Sequence, residues 1–189
     1  MNITPIGQMI FWFEQVHEEL LKLVESLSDE QLAWQPDSSA TSIAFNVWHI
    51  ARWTDYVQAK MPETTNVLGQ RLVPRQQVWH VDDLAKKWDL DPASLGDLEA
   101  GNELGVLAVK IHLPGQAALL EYLRRCYTLE EQCLAIIDDQ QFQERRIDGT
   151  GLPDETVGHW LMWHLVHEWE HLGMIRYIQG LYDLNSAQS

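Results

Sequence analysis

Apolar residues recur every three or four positions in four long stretches of the chain, and this spacing constrains the fold more than any other feature. The interval matches the 3.6-residue turn of an α-helix, so each stretch predicts a helix with one apolar face. The stretches cover about residues 5–26, 42–62, 114–139 and 153–180. With no convincing strand pattern between them, they predict an all-α four-helix bundle.

The connection between the second and third predicted helices is long and partly irregular. Residues 62–112 mix prolines and glycines with short apolar segments. Because an unstructured segment of this length is uncommon inside a compact domain, we expect short helices near 80–88 and 92–100, wrapped over one end or face. Residues 105–113 are a candidate short strand. The length of the connection argues against a simple hairpin of these two helices. The chain as a whole, residues 1–189, fits a single domain.

The charge and the cysteines bear on the class of partner and on the compartment. A formal charge of −15, spread along the chain, argues against binding to nucleic acid or an anionic membrane, because phosphates would be repelled. No signal peptide is visible, and no apolar run reaches the ~20 residues that a membrane span needs. Cys126 and Cys133 lie seven positions apart in one predicted helix, ~10 Å and beyond disulfide reach. These features predict a soluble, cytoplasmic protein with two core thiols.

The fourth predicted helix carries the peptidase-like pattern His-Glu-Trp-Glu-His at residues 167–171. His167 and His171 are one helical turn apart on one face, where two imidazoles can chelate one cation at ~2.0–2.1 Å. His164 falls close to the same face, and an ordinary core stripe would hold leucines there. We therefore favour a metal site over two alternatives, a histidine-rich surface and core histidines satisfied by hydrogen bonds.

The peptidase interpretation fails on the third ligand. The extended form of the motif needs a glycine three residues after His171 and a histidine six after it, but Met174 and Tyr177 stand there. No glutamate or histidine follows His171 in the sequence, and no strong sheet is predicted to hold a peptide. A third ligand has to come from an earlier part of the chain.

One earlier histidine is favoured as this third ligand. His49 lies within the second predicted helix on its interior side, and ligands on facing helices are a common way to build a metal site in a bundle. His17 is flanked by glutamates, so we expect it on a solvated face. His159 lies on a different side of its helix from His167. The irregular connection holds two further candidates, His80 and His112.

Two segments resemble one known family. Residues 27–57, with His49, are similar to the loop and second helix of the DinB/YfiT-like superfamily of four-helix-bundle proteins. Residues 164–181 are similar to its last-helix signature, in which two histidines four apart are followed by a glycine two residues further on. The resemblance covers the chain except for residues 62–112. The sequence departs from the family at positions 172 and 174, where a leucine and a methionine replace a basic residue and a glutamine.

The resemblance implies that His49, His167 and His171 bind one divalent metal, zinc or alternatively nickel. It also implies open metal positions for water or substrate, which agrees with the three-ligand pattern of catalytic zinc. Family members include transferases and isomerases that use low-molecular-weight thiols, and many form homodimers. The metal would lower the pKa of bound water toward ~7 or bind a thiol. This predicts a metal-dependent enzyme, thiol transferase-like, isomerase-like or hydrolytic, acting on a small molecule.

Two alternatives without turnover remain open: a metal-stabilised module that binds a small molecule between tryptophans, and a structural dimer that binds metal incidentally. Three further polar residues have open roles. Glu168 points about 100° away from its neighbour His167, so we expect a solvated or supporting carboxylate instead of a general base. Asp55 is expected to face water. His164 is expected to line the pocket or to support a ligand by a hydrogen bond.

Overall fold

The computed structural model describes residues 4–90, 109–149, 151–152 and 154–188, and these residues contain helices and no strand. Four long helices form the frame: α1 (Pro5–Glu25), α3 (Ile43–Lys60), α7 (Gln116–Leu134) and α9 (Val157–Ser186). Five short ones accompany them: α2 (Asp29–Ala33), α4 (Asn66–Arg71), α5 (Val78–Val81), α6 (Leu84–Lys87) and α8 (Asp139–Phe142). A 3₁₀ turn, Met61–Glu63, follows α3. The predicted all-α bundle is confirmed.

Each long helix packs against two others around one apolar core. Helices α1 and α3 both pack on α7 and on α9, which places α1 and α3 at opposite corners of the bundle. The most extensive contact joins α3 and α7, the second and third long helices. These two helices are therefore direct neighbours, although the chain between them is far longer than a hairpin loop.

Side-chain caps fix where the long helices begin. Thr4, Ser42 and Thr156 each accept a hydrogen bond from a backbone N–H in the first turn of α1, α3 and α9 respectively. The predicted end of the last helix near Gly180 is wrong, because α9 continues to Ser186. A glycine ends a helix when it adopts a left-handed conformation, and Gly180 stays helical.

Helix α3 is buried on nearly every side because the connection that follows it covers its outer face. The 3₁₀ turn and α5 both pack on α3, and α5 also packs on α7. Asp55 joins these elements: its carboxylate accepts hydrogen bonds at 2.8 Å from the N–H groups of Val78 and Trp79 and from the hydroxyl of Tyr122. The expectation that Asp55 faces water is wrong, since the side chain is completely buried. The four-residue helix α5 is held against α3 by these hydrogen bonds to Asp55.

The connection itself follows the prediction in part. Short helices α5 and α6 lie where one was expected near residues 80–88. The second expected helix, near 92–100, lies outside the described residues. Of the candidate strand at 105–113, only 109–113 are described; residues 109–110 are helical and 111–113 are irregular, so no strand forms there.

Two further expectations concern the interior and the membrane. Cys126 and Cys133 are both buried and unbridged, as the spacing predicted. Over the described ranges, none of the helices has the length and hydropathy that crossing a bilayer demands.

Candidate metal centre

The three histidines predicted as ligands converge between α3 and α9. His49 on α3 places its Nε2 atom 3.1 Å from Nε2 of His167 on α9. His171, one turn further along α9, completes the group, and one ring nitrogen from each residue lies within 4.8 Å of the other two. His49 is buried, whereas the other two rings are half-buried. Residues 118 positions apart in sequence therefore meet at one point.

The spacing of the nitrogens suits a shared first-row metal ion. Two nitrogens bound to one ion at ~2.0–2.1 Å lie about 2.9 Å apart in octahedral geometry and about 3.4 Å apart in tetrahedral geometry. The separation of 3.1 Å between the Nε2 atoms of His49 and His167 falls inside this range. The three residues therefore form a group that could hold a divalent metal ion.

Asn46 fixes the proton on His171. Nδ1 of His171 lies 2.8 Å from the side-chain oxygen of Asn46. The Asn46 amide cannot be turned round, because its nitrogen donates to the carbonyl of Ser42 at 2.8 Å and to the hydroxyl of Thr41 at 3.2 Å. Nδ1 of His171 must then carry the hydrogen, which leaves the Nε2 lone pair free for a metal. Support of this kind is usual for histidines that bind metals.

The electrostatic environment keeps the three rings neutral. Burial and the neighbouring His171 together lower the pKa of His49 to about 3. Burial and the adjacent imidazoles lower the pKa of His167 to about 2, and burial lowers that of His171 to about 4. Metals bind the neutral ring, so all three are in the binding form at neutral pH without losing a proton.

A cavity of about 480 Å³ lies beside the centre, with His167 in its wall. Its other walls are largely aromatic: Trp53, Tyr56, Trp160 and Trp163. The ring of Trp53 stands edge-on to that of His167, with centroids 5.5 Å apart. Apolar walls with a few polar groups, at this volume, are typical of small-molecule sites.

Charged groups at the cavity are largely engaged by one another. Arg146 forms ion pairs with Glu155 and, at 2.6 Å, with Asp148, and its guanidinium stacks over Trp160 at 4.4 Å. Glu170, which is exposed on α9, lies in the same lining. The ion pairs therefore hold Arg146 against Asp148 and Glu155 in the wall instead of leaving it as a mobile cation.

The remaining histidines take different places. His164 does not join the three ligands: its Nε2 lies 3.1 Å from Glu130 and 3.4 Å from Glu168 in the bundle core, although the residue also lines the cavity. Glu168 points away from the centre as expected, but it is completely buried and not solvated. The expectation of a solvated His17 is wrong, since only 2% of it is exposed. Solvent reaches the other three, His80, His112 and His159.

Sequence reasoning missed Asn46, His17 and Glu130, and each had a signal. Asn46 stands three residues before His49 and so lies on the same helix face. His17 shares the buried stripe of α1 with Phe13 and Leu20, which outweighs its flanking glutamates. Glu130 sits on the inner stripe of α7, three residues before Cys133.

The fold and the site together define a class: a four-helix bundle in which one histidine of the second long helix meets an H-x-x-x-H pair on the last. Comparison with known families agrees with this class. A family model of the DinB superfamily matches residues 13–175, and the chain belongs to that superfamily.

A solved structure supports the fold alone. The crystal structure of the conserved protein of locus from Enterococcus faecalis is 19% identical, with a TM-score of 0.73. The match covers 95% of this chain and 98% of that one. No curated protein matches the sequence.

Proposed function

We propose that this protein is a divalent-metal-dependent enzyme acting on a small molecule, with His49, His167 and His171 as the metal ligands. Zinc is the proposed metal, with nickel as the alternative, since imidazole suits both. The proposed chemistry is transfer or isomerisation involving a low-molecular-weight thiol, with hydrolysis as the second possibility within the same class. The observation that carries the proposal is the meeting of three neutral imidazoles beside an aromatic cavity.

The ligand set favours a reactive site over a purely structural one. Structural zinc is normally enclosed by four protein ligands, whereas catalytic zinc has three and an open position. Three histidines converge here, and two of them are half-buried. When bound, the metal supplies Lewis-acid chemistry that makes a bound water or thiol more acidic.

The chain's own residues hold and orient the participants. Asn46 holds the tautomer of His171. Trp53 stands edge-on to the rings of His49 and His167 and lines the cavity beside them. The tryptophans of the cavity provide apolar surface for the body of a substrate, while His167 lies where the substrate and the centre meet.

The test uses the cobalt-substituted protein, because cobalt(II) reports its ligands by absorption. We expect 2-mercaptoethanol and benzyl mercaptan to produce a near-ultraviolet sulfur-to-cobalt band. In a transfer, the thiol should be consumed when an epoxide is added; in an isomerisation, it should convert a maleamate to its trans isomer and be released unchanged. His49→Ala should abolish both signals. His80→Ala, which alters an exposed histidine outside the centre, is the matched control and should change neither.

Each outcome separates the proposal from its alternatives. Esters are added as probes of hydrolysis. A sulfur-to-cobalt band without conversion of either electrophile or of an ester favours a metal-stabilised binding protein. The absence of the band, together with turnover of ester probes, favours hydrolysis. A sulfur-to-cobalt band that survives in His49→Ala would contradict the proposed ligand set.

We also propose that the protein forms a homodimer through α1 and α9. Phe11 and Trp12 on α1 and Met162 and Val166 on α9 are exposed apolar side chains, and Trp12 meets Trp169 edge-on across the two helices at 6.4 Å. Light scattering should then give twice the mass of 21.9 kDa, and Trp12→Glu should give the monomer. A monomer in the wild type would contradict this.

We also propose a cytoplasmic location. The two free thiols are consistent with it, because disulfides are rare in reducing compartments.

A further inference from the structure

A polar cluster lies in the bundle core, built from residues outside the three-histidine centre. His17 comes from α1, Glu130 from α7, and His164 and Glu168 from α9. Thr54 of α3 adds its hydroxyl, 3.0 Å from Glu168. All four long helices therefore contribute to this cluster, which we call the His17–Glu130–Glu168 cluster.

The two carboxylates face both histidines. Nε2 of His17 lies 3.3 Å from Oε2 of Glu130 and 3.5 Å from Oε2 of Glu168. On the opposite side, Nε2 of His164 lies 3.1 Å and 3.4 Å from the Oε1 atoms of the same two residues. Each carboxylate thus presents one oxygen to each ring.

Several of these atoms have no hydrogen bond. Within the described part of the chain, Nε2 of His17, both oxygens of Glu130 and Oε2 of Glu168 are buried without a hydrogen-bond partner. Their ionic contacts therefore lack the alignment that a shared proton would give. A buried carboxylate without a partner is costly, so groups of this kind are normally paired or bind a metal.

Glu131 orients His17 in the way expected for a metal ligand. Nδ1 of His17 lies 2.8 Å from a carboxylate oxygen of Glu131. A carboxylate at one nitrogen fixes the hydrogen there and makes the other nitrogen a better ligand. With its hydrogen on Nδ1, the Nε2 atom of His17 faces two carboxylate oxygens, and these three acceptors repel one another unless a second proton on the ring or a metal cation lies between them.

We propose that His17 Nε2, Glu130 Oε2 and Glu168 Oε2 form a second site, for a first-row divalent cation, inside the bundle. The donor atoms of the three residues lie within 4.8 Å of one another. Nitrogen and oxygen ligands at ~2.0–2.2 Å from one ion are about 2.9–3.5 Å apart, which matches the separations around His17. His164 and Thr54 then hold the opposite oxygens.

The ligands define which ions the site takes. Two carboxylates carry a charge of −2, which a single divalent cation balances. Carboxylate ligands suit manganese and magnesium. A histidine ligand in the same site shifts the preference from magnesium toward manganese, iron or zinc. The site should therefore bind zinc and manganese, whereas the all-nitrogen centre should prefer zinc or nickel. His164 lines the cavity and touches both carboxylates, so a ring rotation would open a path for the ion.

The test measures zinc bound by metal-stripped, full-length protein after equilibrium dialysis. The wild type should bind about two equivalents and His49→Ala about one. In the His49→Ala background, Glu130→Gln removes one charged ligand at almost constant volume, and bound zinc should fall to none. Glu131→Ala in that background should weaken zinc binding about tenfold to hundredfold, because it removes the acceptor that orients His17.

Two results would overturn the proposal. If His49→Ala binds no zinc while the wild type binds one equivalent, the core cluster holds protons alone. If the equivalent bound by His49→Ala survives Glu130→Gln, the ion lies elsewhere. Should Glu130→Gln fail to fold by circular dichroism, wild-type crystals soaked in manganese decide: an anomalous peak among the three donor atoms supports the site, and its absence contradicts it. A failure of the three-histidine centre affects none of these readings.

Discussion

Nδ1 of His171 lies 2.8 Å from the side-chain oxygen of Asn46, so one ring of the candidate metal centre is oriented by a residue of the other helix. We expect Asn46→Ala to weaken zinc binding about tenfold to hundredfold with all three ligands intact, because His171 loses its orientation. Chelator competition measures this. Asn46→Asp keeps an acceptor at that place and should stay within a few-fold of the wild type. Equal loss in both variants would contradict a positioning role.

The pH dependence of zinc binding should differ from that of ordinary histidines. Free imidazoles with a pKa near 6.5 lose metal affinity about tenfold per ring for each pH unit below that value. The pKa values of His49, His167 and His171 are lowered to about 3, 2 and 4. Protons therefore compete with the metal only below about pH 4.

We expect the zinc affinity of the three-histidine centre to change less than about two-fold between pH 7.5 and 5.5. The measurement is chelator competition in Glu130→Gln, so that the core cluster does not contribute. A tenfold fall across that interval would show that the rings titrate normally. The zinc affinity of the chelator also changes with pH, so it is measured without protein at each pH and used as the correction.

Asp55 is expected to be one of the most important polar residues for stability. Asp55→Ala leaves the N–H groups of Val78 and Trp79 and the hydroxyl of Tyr122 without their acceptor, which should cost about 3–5 kcal/mol of unfolding free energy. Urea unfolding of the metal-free protein measures it. Asp183→Ala, which alters an exposed residue, is the control and should cost about 0.5 kcal/mol or less. A loss below about 1 kcal/mol for Asp55→Ala would contradict the anchoring role.

The cavity should discriminate between thiols by their apolar part. Trp163 is exposed and lines the cavity but is not one of the three ligands, so Trp163→Ala should leave zinc affinity unchanged. Loss of its apolar surface should weaken benzyl mercaptan binding about tenfold and leave 2-mercaptoethanol unaffected. The sulfur-to-cobalt band measures both. Tyr177→Ala, which removes an exposed aromatic ring outside the cavity lining, is the control, and equal effects on both thiols would exclude a wall contact.

Helical periodicity carried most of the fold prediction. The helices that end at Glu25 and Lys60 were predicted to within two residues, and the one that ends at Leu134 was predicted five residues too long, because apolar spacing and caps are local signals. The overrun of α9 past Gly180 was missed because a glycine marks a helix end only when its backbone turns left-handed. The path of residues 62–90 depends on tertiary anchors such as Asp55, which a local pattern does not reveal.

The candidate site was predictable where spacing fixes geometry. Two histidines four apart on a helix must share a face, so the His167–His171 pair followed from the sequence. The partnership with His49 came from the family resemblance and from the interior position of that residue. Charged neighbours misplaced His17, because glutamates on either side of a helical residue point in other directions and say little about its own burial.

The most direct test of the central claim is the zinc content of wild-type protein and of three single variants after dialysis against a fixed free-zinc concentration. We expect His49→Ala, His167→Ala and His171→Ala each to lose one equivalent relative to the wild type, and His80→Ala to lose none. All variants should remain helical by circular dichroism, since each removed ring belongs to a site and not to the apolar core. Folded variants that retain the full zinc content would contradict a shared ion among these three residues.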